Sequence, residues 1–386
     1  MTIPRELLLT HLLSQPTAPF REMHIQRIAR EVLGAAGVPC FADPAGNVIV
    51  GVGSRAEYQS LARATSREPI RLLIAHMDHP GFHGARWLGA TRLAVTWHGG
   101  SPTRGVNGAR VWLADHNGYV ITGRLTRARI AKSGWSIERA EVLLDSPLKP
   151  RPTATSLFGG FGFRAPVWRS GNRLYTKAAD DLVGVFAIIA TAIDLFGHRT
   201  RTAPPFIGLL TRGEEVGFVG AVAHFELGWL KTARRPVVCV SLETSRTLPG
   251  AIIGKGPVVR LGDRRTVFDP NGLQVLSDLA GQVLPEAHQR RIMDGGACES
   301  TAATAYGLPA IGLSVPLGNY HNQNLEGGPG TKGRHGSAPE FVDIRDIAGL
   351  LKLCRALMRP RLPWDDAWFA QRQRLKRNLR HHAKQI

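Results

Sequence analysis

The sequence predicts an α/β protein in which a mostly parallel sheet has helices on both faces and is interrupted by a small, mostly β domain. Three observations lead to this prediction. Helical and strand-like apolar patterns alternate over most of the chain, whereas residues 79–171 change to short alternating runs rich in Gly, Trp and Arg. The chain has 386 residues, 43% of them hydrophobic and 20% charged, which is enough to bury a large core without cross-links.

The first part of the predicted α/β domain, residues 1–78, opens with two helices. Apolar residues recur at helical spacing between residues 4 and 36, and a proline-containing segment near Pro16 separates the two stretches. A turn and a strand follow at 41–53, and the apolar run at 71–78 predicts a buried strand. These strands would begin the sheet.

The interrupting β domain is predicted at 79–171. Runs such as RLAVTWHG, ARVWLADHNGYVITGRL and AEVLLD alternate apolar and polar residues, as strands with one buried face do. The HNG at 116–118 is typical of a tight hairpin turn. We therefore expect antiparallel strands between the two parts of the α/β domain.

The second part of the α/β domain, residues 172–360, returns to alternating helices and strands. The predicted helices lie at 181–196, 217–229, 271–282, 298–306 and 343–358, and the predicted strands at 205–211, 236–243 and 309–315. Strands that alternate with helices favour parallel pairing, since each helix returns the chain to the same end of the sheet.

The charge balance leaves two explanations open. Lys and Arg number 49 and Asp and Glu 30, a formal net charge of +19. Such a surplus suits nucleic acid or another anionic partner. Arg spread along a Gly- and Ala-rich chain also follows from the base composition of a gene, and we favour that explanation. The sharpest concentration, RQRLKRNLRHHAK, lies in the basic C-terminal tail at 361–386.

The spacing of the cysteines and the short lengths of the apolar runs favour a cytoplasmic protein. The four cysteines are far apart and never form CxxC, which fits a reducing cytoplasm and excludes a disulfide framework. The apolar run at 7–13 is short and interrupted by His11, so we expect no export signal. The run at 183–193 is too short to cross a bilayer and predicts a buried helix instead. No membrane partner is expected.

Potential metal ligands follow several of the predicted strands. They are His76 and Asp78, Asp180 and Asp181, Glu214 and Glu215, Glu243, and His321. Each alone has an ordinary explanation, such as a core histidine, a helix cap or a solvated loop. The carboxyl ends of parallel strands meet at one sheet edge, however, and carboxylates that converge there without a cation would be electrostatically expensive. The recurrence therefore predicts a divalent metal site.

Several segments resemble one known family. They are AHMDHPGF at 75–82, TKAADDLVG at 176–184, TRGEEVGFVGA at 211–221, VSLET at 240–244 and VPLGNYH at 315–321. These are similar to the signature segments of the glutamyl or deblocking aminopeptidases, dinuclear metal enzymes with a zinc-exopeptidase fold whose members assemble as tetrahedral particles. The resemblance covers nearly the whole chain. It implies two divalent metal ions, with zinc as the default and cobalt or manganese as alternatives.

The resemblance also implies the ligand set. The matching positions are His76, Asp180, Glu215, Glu243 and His321. One metal would take His76, Asp180 and Glu243, and the other would take Asp180, Glu215 and His321. Asp180 would bridge the two metals, and the family's peptide bond after this Asp is often cis.

Two further positions match residues of the family's reaction. Glu214 matches the general base, which takes a proton from the attacking water and passes it to the departing amine. Asp78 matches the carboxylate that orients His76. Alternate residues of an extended segment share a face, so an Asp two residues after a His can hold the second ring nitrogen, as a metal-bound His generally requires.

The chain departs from the family pattern in places. His79 stands where an acidic residue is usual, Leu182 where Arg is usual, and Glu243 where the family has Asp. The loop at 322–338 is longer than usual, could act as a lid and offers His335 as a competing ligand, although the spacing from Pro316 favours His321.

The segment GGACEST at 295–301 has two possible roles. Glu299 could reach the amino end of a substrate, or the segment could cap the following helix with Cys298 buried, and we favour the second slightly. A nucleophilic pair of Cys298 and His321 would leave the carboxylates unexplained.

The function expected from the residues and the resemblance is a cytoplasmic, dinuclear metal-dependent aminopeptidase that acts on short peptides and forms a homo-oligomer. One alternative is a metal-dependent amidohydrolase or deacylase with the same core. Another is a non-catalytic protein that holds nucleic acid or an anionic partner through its basic surface. The sequence leaves side-chain preference open.

Overall fold

A computed structural model describes residues 4–197, 205–328 and 335–386 of the chain. Its helices there are α1 (Arg5–Ser14), α2 (Met23–Ala35), α3 (Arg55–Arg63), α4 (Leu182–Gly197), α5 (Val219–Glu226), α6 (Pro270–Val283), α7 (Glu299–Ala305), α8 (Ile344–Leu357) and α9 (Phe369–His382). Its strands are β1 (Cys40–Ala42), β2 (Val48–Val50), β3 (Ile70–His76), β4 (Gly81–Trp87), β5 (Arg92–His98), β6 (Arg110–Asp115), β7 (Gly118–Ile130), β8 (Ile137–Leu144), β9 (Phe158–Phe161), β10 (Val167–Ser170), β11 (Arg173–Thr176), β12 (Phe206–Thr211), β13 (Val237–Arg246), β14 (Val258–Asp263), β15 (Gln289–Met293), β16 (Ala310–Leu317) and β17 (Glu340–Asp343).

The main sheet has the strand order β1-β2-β12-β3-β13-β16-β14-β15 within the described residues. Its four central strands, β12, β3, β13 and β16, run parallel to one another. The antiparallel pairs lie toward the edges, where β2 joins β12 and β14 joins β16. The carboxyl ends of the central strands therefore meet at one edge of the sheet, as the sequence predicts.

Helices cover both faces of this sheet. Along β3, Leu73 and Ala75 belong to the core beneath α1, α2, α4, α6 and α8. Leu72 and Ile74 face the other core, which α3, α5 and α7 cover. Successive side chains of a strand point to opposite faces, so a strand that is apolar at every position is buried on both sides. The predicted α/β class, with helices on both faces, is confirmed.

The interrupting region forms a closed antiparallel barrel of strands β4-β5-β8-β7-β6-β9. The predicted hairpin turn joins β6 to β7, where Asp115 pairs with Gly118. The barrel has its own apolar core, which includes Phe82, Val111 and Val142. A small mostly β domain is therefore present, while its proposed limits at 79 and 171, and those of the other segments, stay predictions.

A third sheet of β10, β11 and β17 lies beside the α/β core. In it Thr176 pairs with Glu340, and Gly318 forms a bridge with Phe341. β17 therefore joins the chain just before Asp180 to the chain just after β16, two segments that carry predicted ligands.

Several elements differ from the sequence prediction. Helix α3 was not predicted, although the S-x-x-E spacing of a capping box is visible in the sequence: Ser54 Oγ accepts the N–H of Glu57, and the Glu57 carboxylate accepts the N–H of Gly53. Strands β14 and β15 were also missed. The helix predicted at 181–196 is present and buried along most of its length, and no helix in the described ranges is long and apolar enough to span a membrane.

Candidate metal centre

The central strands deliver the predicted residues to one place. His76 is the last residue of β3 and pairs with Thr211, the last residue of β12. The chain after β12 turns through a short 3-10 helix, Glu214–Val216, and the chain after β16 turns through another, Tyr320–Asn322. Glu243 lies within β13, next to β3. This edge of the sheet therefore gathers side chains from the four central strands and the turns that follow them.

The distances divide the cluster into two halves around Asp180. His76 Nε2 lies 3.5 Å from Asp180 Oδ1. His321 Nε2 lies 3.6 Å from Asp180 Oδ2 and 3.0 Å from Glu215 Oε2. Each oxygen of the Asp180 carboxylate thus faces a different imidazole, which is the arrangement that a carboxylate shared by two cations needs.

Glu214, the predicted general base, lies as close to the cluster as the predicted ligands do. Its Oε2 is 3.7 Å from His76 Nε2, and atoms of His76, Glu214 and Glu243 all lie within 4.8 Å of one another. A second triplet within the same limit is His76, Asp180 and Glu215. All five predicted ligands and Glu214 therefore meet at one site, but the geometry alone does not separate the base from the ligands.

Asp78 supports the site in a different way from the one predicted. His76 Nδ1 lies 3.1 Å from the main-chain oxygen of Asp78, whereas the carboxylate oxygen Oδ1 of Asp78 is 3.8 Å away. The Asp78 carboxylate instead accepts the main-chain N–H groups of Glu214, at 3.0 Å, and Glu215, at 3.2 Å. It therefore fixes the turn that carries the general base and a ligand.

The chain around Asp180 has the local geometry expected from the resemblance. The peptide bond between Asp180 and Asp181 is cis. The Asp181 carboxylate accepts hydrogen bonds from Thr244 Oγ1, at 2.9 Å, and from the main-chain N–H of Gly184, at 3.1 Å. Asp181 thus caps the start of α4, while Asp180 faces the two imidazoles.

The residues present fit divalent cations. Asp180 Oδ1, Glu215 Oε1 and His321 Nε2 are buried and make no hydrogen bond of normal geometry, although His321 Nε2 lies 3.0 Å from Glu215 Oε2. Buried polar atoms are normally hydrogen-bonded, so three that are not, on neighbouring side chains of one cluster, indicate that a bound group would satisfy them together. Carboxylates and imidazoles are the ligands that zinc accepts, and they also suit cobalt or manganese.

The electrostatics of the site agree with this interpretation. Burial raises the pKa of Glu243 to about 7, and the nearby Asp180 and Glu215 carboxylates add to the rise. Burial lowers the pKa of His321, but Glu215 and Asp180 outweigh it and raise that pKa to about 10. The cluster has more negative charge than its neighbours neutralise, so a cation would be strongly stabilised there.

The alternatives raised by the sequence lie elsewhere. His335, the competing ligand, is exposed, whereas His321 is nearly buried in the cluster. The lid proposed for 322–338 includes residues 329–334, which lie outside the described residues. Cys298 precedes α7 and is fully buried, and burial raises the pKa of its thiol to about 12, so it is a poor nucleophile. Glu299 is also fully buried and accepts a hydrogen bond from Thr211.

A narrow cleft opens beside the cluster. Its walls beyond the ligands include Ser245, Arg246, Arg260, Met293 and Tyr320. Arg260 is 2% exposed, donates to Ser245 Oγ at 3.2 Å and lies 4.0 Å from Glu243. Its Nε has no partner. Sequence reasoning missed this cation because β14, which carries it, was not predicted.

The barrel closes the other side of the cluster through two glycines after β5. A Cβ atom on Gly100 would lie 2.2 Å from His321 Nδ1, and one on Gly99 would lie 3.2 Å from the Cβ of Glu215. These positions allow the barrel backbone to approach the second half of the site. The only sequence feature that could have revealed this close approach is the pair Gly99-Gly100, and a Gly-Gly pair alone does not indicate a functional site.

The parallel central strands, the helices on both faces and the buried carboxylates and imidazoles at the sheet edge define a metalloenzyme of the α/β class. Residues 60–325 match the family model described as M42 glutamyl aminopeptidase, which is more than half of the chain. The chain belongs to that family and is a metal-dependent aminopeptidase. No curated protein matches its sequence.

Solved structures share the fold over nearly the whole chain. A TET aminopeptidase from the marine sediment archaeon Thaumarchaeota archaeon SCGC AB-539-E09 is 17% identical, covers 94% of this chain and 98% of its own, and has a TM-score of 0.73. The TET1 peptidase of Pyrococcus horikoshii, which can assemble into a tetrahedron or a large octahedral shell, is 20% identical, with coverages of 92% and 99% and a TM-score of 0.68. An aminopeptidase from Desulfurococcus kamchatkensis is 19% identical, with coverages of 93% and 95% and a TM-score of 0.71.

Proposed function

We propose that this protein removes the first residue from short peptides with two divalent metal ions, and that zinc is the default metal. The observation that carries the proposal is the convergence of five ligand-type side chains, among which three buried atoms make no hydrogen bond of normal geometry. His76, Asp180 and Glu243 would hold one metal. Asp180, Glu215 and His321 would hold the other.

Two bound cations would lower the pKa of a water and polarise the scissile carbonyl. Asp180 directs one carboxylate oxygen toward His76 and the other toward His321, and it thereby fixes the position of the two imidazoles relative to each other. Asp78 holds His76 through its main-chain oxygen and holds the Glu214–Glu215 turn through its carboxylate. The ligands are therefore fixed before a substrate arrives.

Glu214 is the proposed general base. Burial raises the pKa of its carboxyl well above the usual range, and the neighbouring carboxylates of Glu215, Glu243 and Glu299 add to the rise. A raised pKa suits a group that must accept a proton and then give it up to the departing amine. The main-chain bond from Glu214 to Asp78 keeps this carboxylate beside the ligands.

The cleft favours a substrate whose first residue is acidic. Arg260 lines the cleft as a buried guanidinium whose Nε has no partner, and Arg246 lies at an exposed position of the same cleft. A guanidinium binds a carboxylate with paired hydrogen bonds, and it gains most where water is excluded. The family description, glutamyl aminopeptidase, names the same chemistry.

Two further features complete the proposal. The structural relatives that assemble into closed particles support a homo-oligomer for this chain as well. The four cysteines are unpaired, which suits a reducing cytoplasm.

The test compares peptides with different first residues. We expect a higher kcat/KM for Glu and Asp than for Leu and Lys at the first position, and no release from N-acetylated peptides. Arg260→Met should reduce the preference for Glu about 10- to 100-fold, the value of one or two hydrogen bonds to a charged group. Arg290→Met changes an exposed Arg on the neighbouring strand β15 and serves as the control.

Several outcomes would contradict parts of this proposal. Release only from blocked or acylated compounds would assign the chain to the amidohydrolase alternative. An equal preference for Glu in the wild type and in Arg260→Met, with metals retained, would remove Arg260 from substrate selection.

A further inference from the structure

The carboxylate of Glu340 joins the two halves of the metal centre through their backbones. Glu340 is fully buried at the start of β17. Its Oε2 accepts the main-chain N–H groups of Ala179, at 2.7 Å, and Asp180, at 3.2 Å. Its Oε1 accepts the N–H of His321, at 2.9 Å. One side chain therefore ties the segment of the shared carboxylate to the segment of the second imidazole.

The strand that carries Glu340 is fixed beside both segments. β17 pairs with β11, which leads into the Asp180 segment, through Thr176 opposite Glu340. It also bonds to the chain after β16, where the N–H of Gly318 donates to the oxygen of Phe341, at 2.9 Å. Glu340 thus stands at the junction of the two segments and does not depend on a loop for its position.

The His321 segment needs such support because its backbone conformation is unfavourable. Asn319, His321 and Asn322 all have positive φ, with values of 57°, 54° and 56°. This left-handed region is sparsely populated for residues with a Cβ atom, and Asn and His enter it more readily than most, but three such residues within four positions still depend on surrounding contacts to hold them. The hydrogen bond from the His321 N–H to Glu340 is one of those contacts, because it fixes the orientation of the peptide group between Tyr320 and His321.

We propose that Glu340 is a positioning residue that sets the distance between Asp180 and His321 and thereby maintains the affinity of the second metal. The inference rests on the proposed function for the identity of the ligands. Glu340 acts through the main chain of both residues and does not bind the metal. Groups that orient metal ligands in this way typically contribute 10- to 100-fold to metal affinity.

The test uses Glu340→Gln and a matched control. Gln keeps the size of the side chain but replaces one acceptor oxygen with an NH2 group, so at least one of the three N–H groups loses its partner. Asp346→Asn is the control, because Asp346 is also fully buried and accepts two main-chain N–H groups, from Gly254 at 2.6 Å and Gly256 at 2.7 Å. Both variants lose comparable bonds, but only Glu340 touches the ligand segments.

Two measurements separate the inference from the proposed function. The first is amide hydrogen exchange of the metal-free protein, where Glu340→Gln should speed exchange in peptides that contain residues 179–181 and 319–323 and Asp346→Asn should not. The second is zinc binding by competition with a chromophoric chelator, where Glu340→Gln should weaken one of the two bound zinc ions about 10- to 100-fold and Asp346→Asn should change neither by more than about twofold. A wild-type protein that binds no zinc, cobalt or manganese would contradict the proposed function, while the exchange data would still judge the role of Glu340.

The inference is overturned if Glu340→Gln leaves exchange and zinc affinity unchanged, or if Asp346→Asn weakens zinc binding to the same extent. If the Gln variant does not fold, Glu340→Asp replaces it in both measurements. That variant keeps the charge but withdraws the carboxylate by one methylene. We therefore expect faster exchange in the same peptides and weaker binding of one zinc ion, both to a smaller extent than in Glu340→Gln. Zinc affinity equal to that of the wild type in Glu340→Asp, with unchanged exchange, would equally refute the proposal.

Discussion

Replacing Asp78 with Asn should reduce turnover while both metals stay bound. The carboxylate of Asp78 accepts the N–H groups of Glu214 and Glu215, whereas His76 is held by the main-chain oxygen of Asp78. Asn keeps that main-chain oxygen and the shape of the side chain, but its NH2 group replaces one acceptor. The turn that carries the base therefore loosens, and the orientation of His76 does not change.

The size of this effect follows from the bond that is lost. A hydrogen bond to a charged group contributes about 1.5–3 kcal/mol, and an unpaired buried N–H adds to the cost. If about 2–3 kcal/mol of this is lost in the transition state, kcat falls about 30- to 160-fold. KM should change less than about threefold, because Arg246 and Arg260, the proposed substrate contacts, lie on β13 and β14 and not on this turn.

The assay is steady-state kinetics on a peptide with a free first residue, together with metal content after dialysis. Asp346→Asn again provides the control, since it is a buried carboxylate that caps two other amides. A kcat within threefold of the wild type would refute the role of the carboxylate. Loss of metal from the Asp78→Asn variant, with turnover restored by added zinc, would show instead that the carboxylate orients His76, as the sequence predicted.

Three further predictions address other parts of the molecule. Glu214→Gln should retain both metals and lose about 10²- to 10⁴-fold in kcat; loss of a metal would make Glu214 a ligand, and normal activity would exclude it from the mechanism. Gly100→Ala should weaken one zinc ion, because its Cβ would meet the His321 ring, whereas Gly89→Ala, with no atom within 4 Å, should not; equal zinc affinities would refute this contact. Burial lowers the pKa of Lys177 to about 7, so above that pH this lysine holds a proton in the unfolded chain but not in the folded one, and Lys177 alone should contribute a rise in stability of about 1.4 kcal/mol per pH unit between pH 8 and 10. Denaturant unfolding of wild type and Lys177→Met should differ by this slope, and parallel curves would contradict it.

The sequence could predict the strands and ligands that follow strong local rules. The apolar runs that became β3, β12, β13 and β16 are buried on both faces, so their pattern is nearly continuous and easily recognised. Because parallel strands end at one edge, the residues that follow them could be placed together without knowledge of the fold. The cis peptide after Asp180 followed from the resemblance alone.

The rest depends on tertiary contacts that leave no local pattern. Glu340 was not among the predicted site residues, because only the pairing of β17 with β11 brings it to Asp180. Arg260 belongs to β14, whose run is short and mixed, so its position in the cleft could not be foreseen. The Asp78 carboxylate was assigned to His76 because the two are neighbours on one strand, whereas the fold brings the amides of the next strand's turn closer.

The central claim is that two metal ions at this cluster remove a free first residue from peptides. The most direct measurement removes metal with a chelator, titrates zinc, cobalt or manganese back into the protein, and records bound metal and amino acid release at each addition. We expect two metals per chain, activity that appears as both sites fill, and no release from N-acetylated peptides. Full activity in the metal-free protein, or no binding of any of the three metals, would contradict the account.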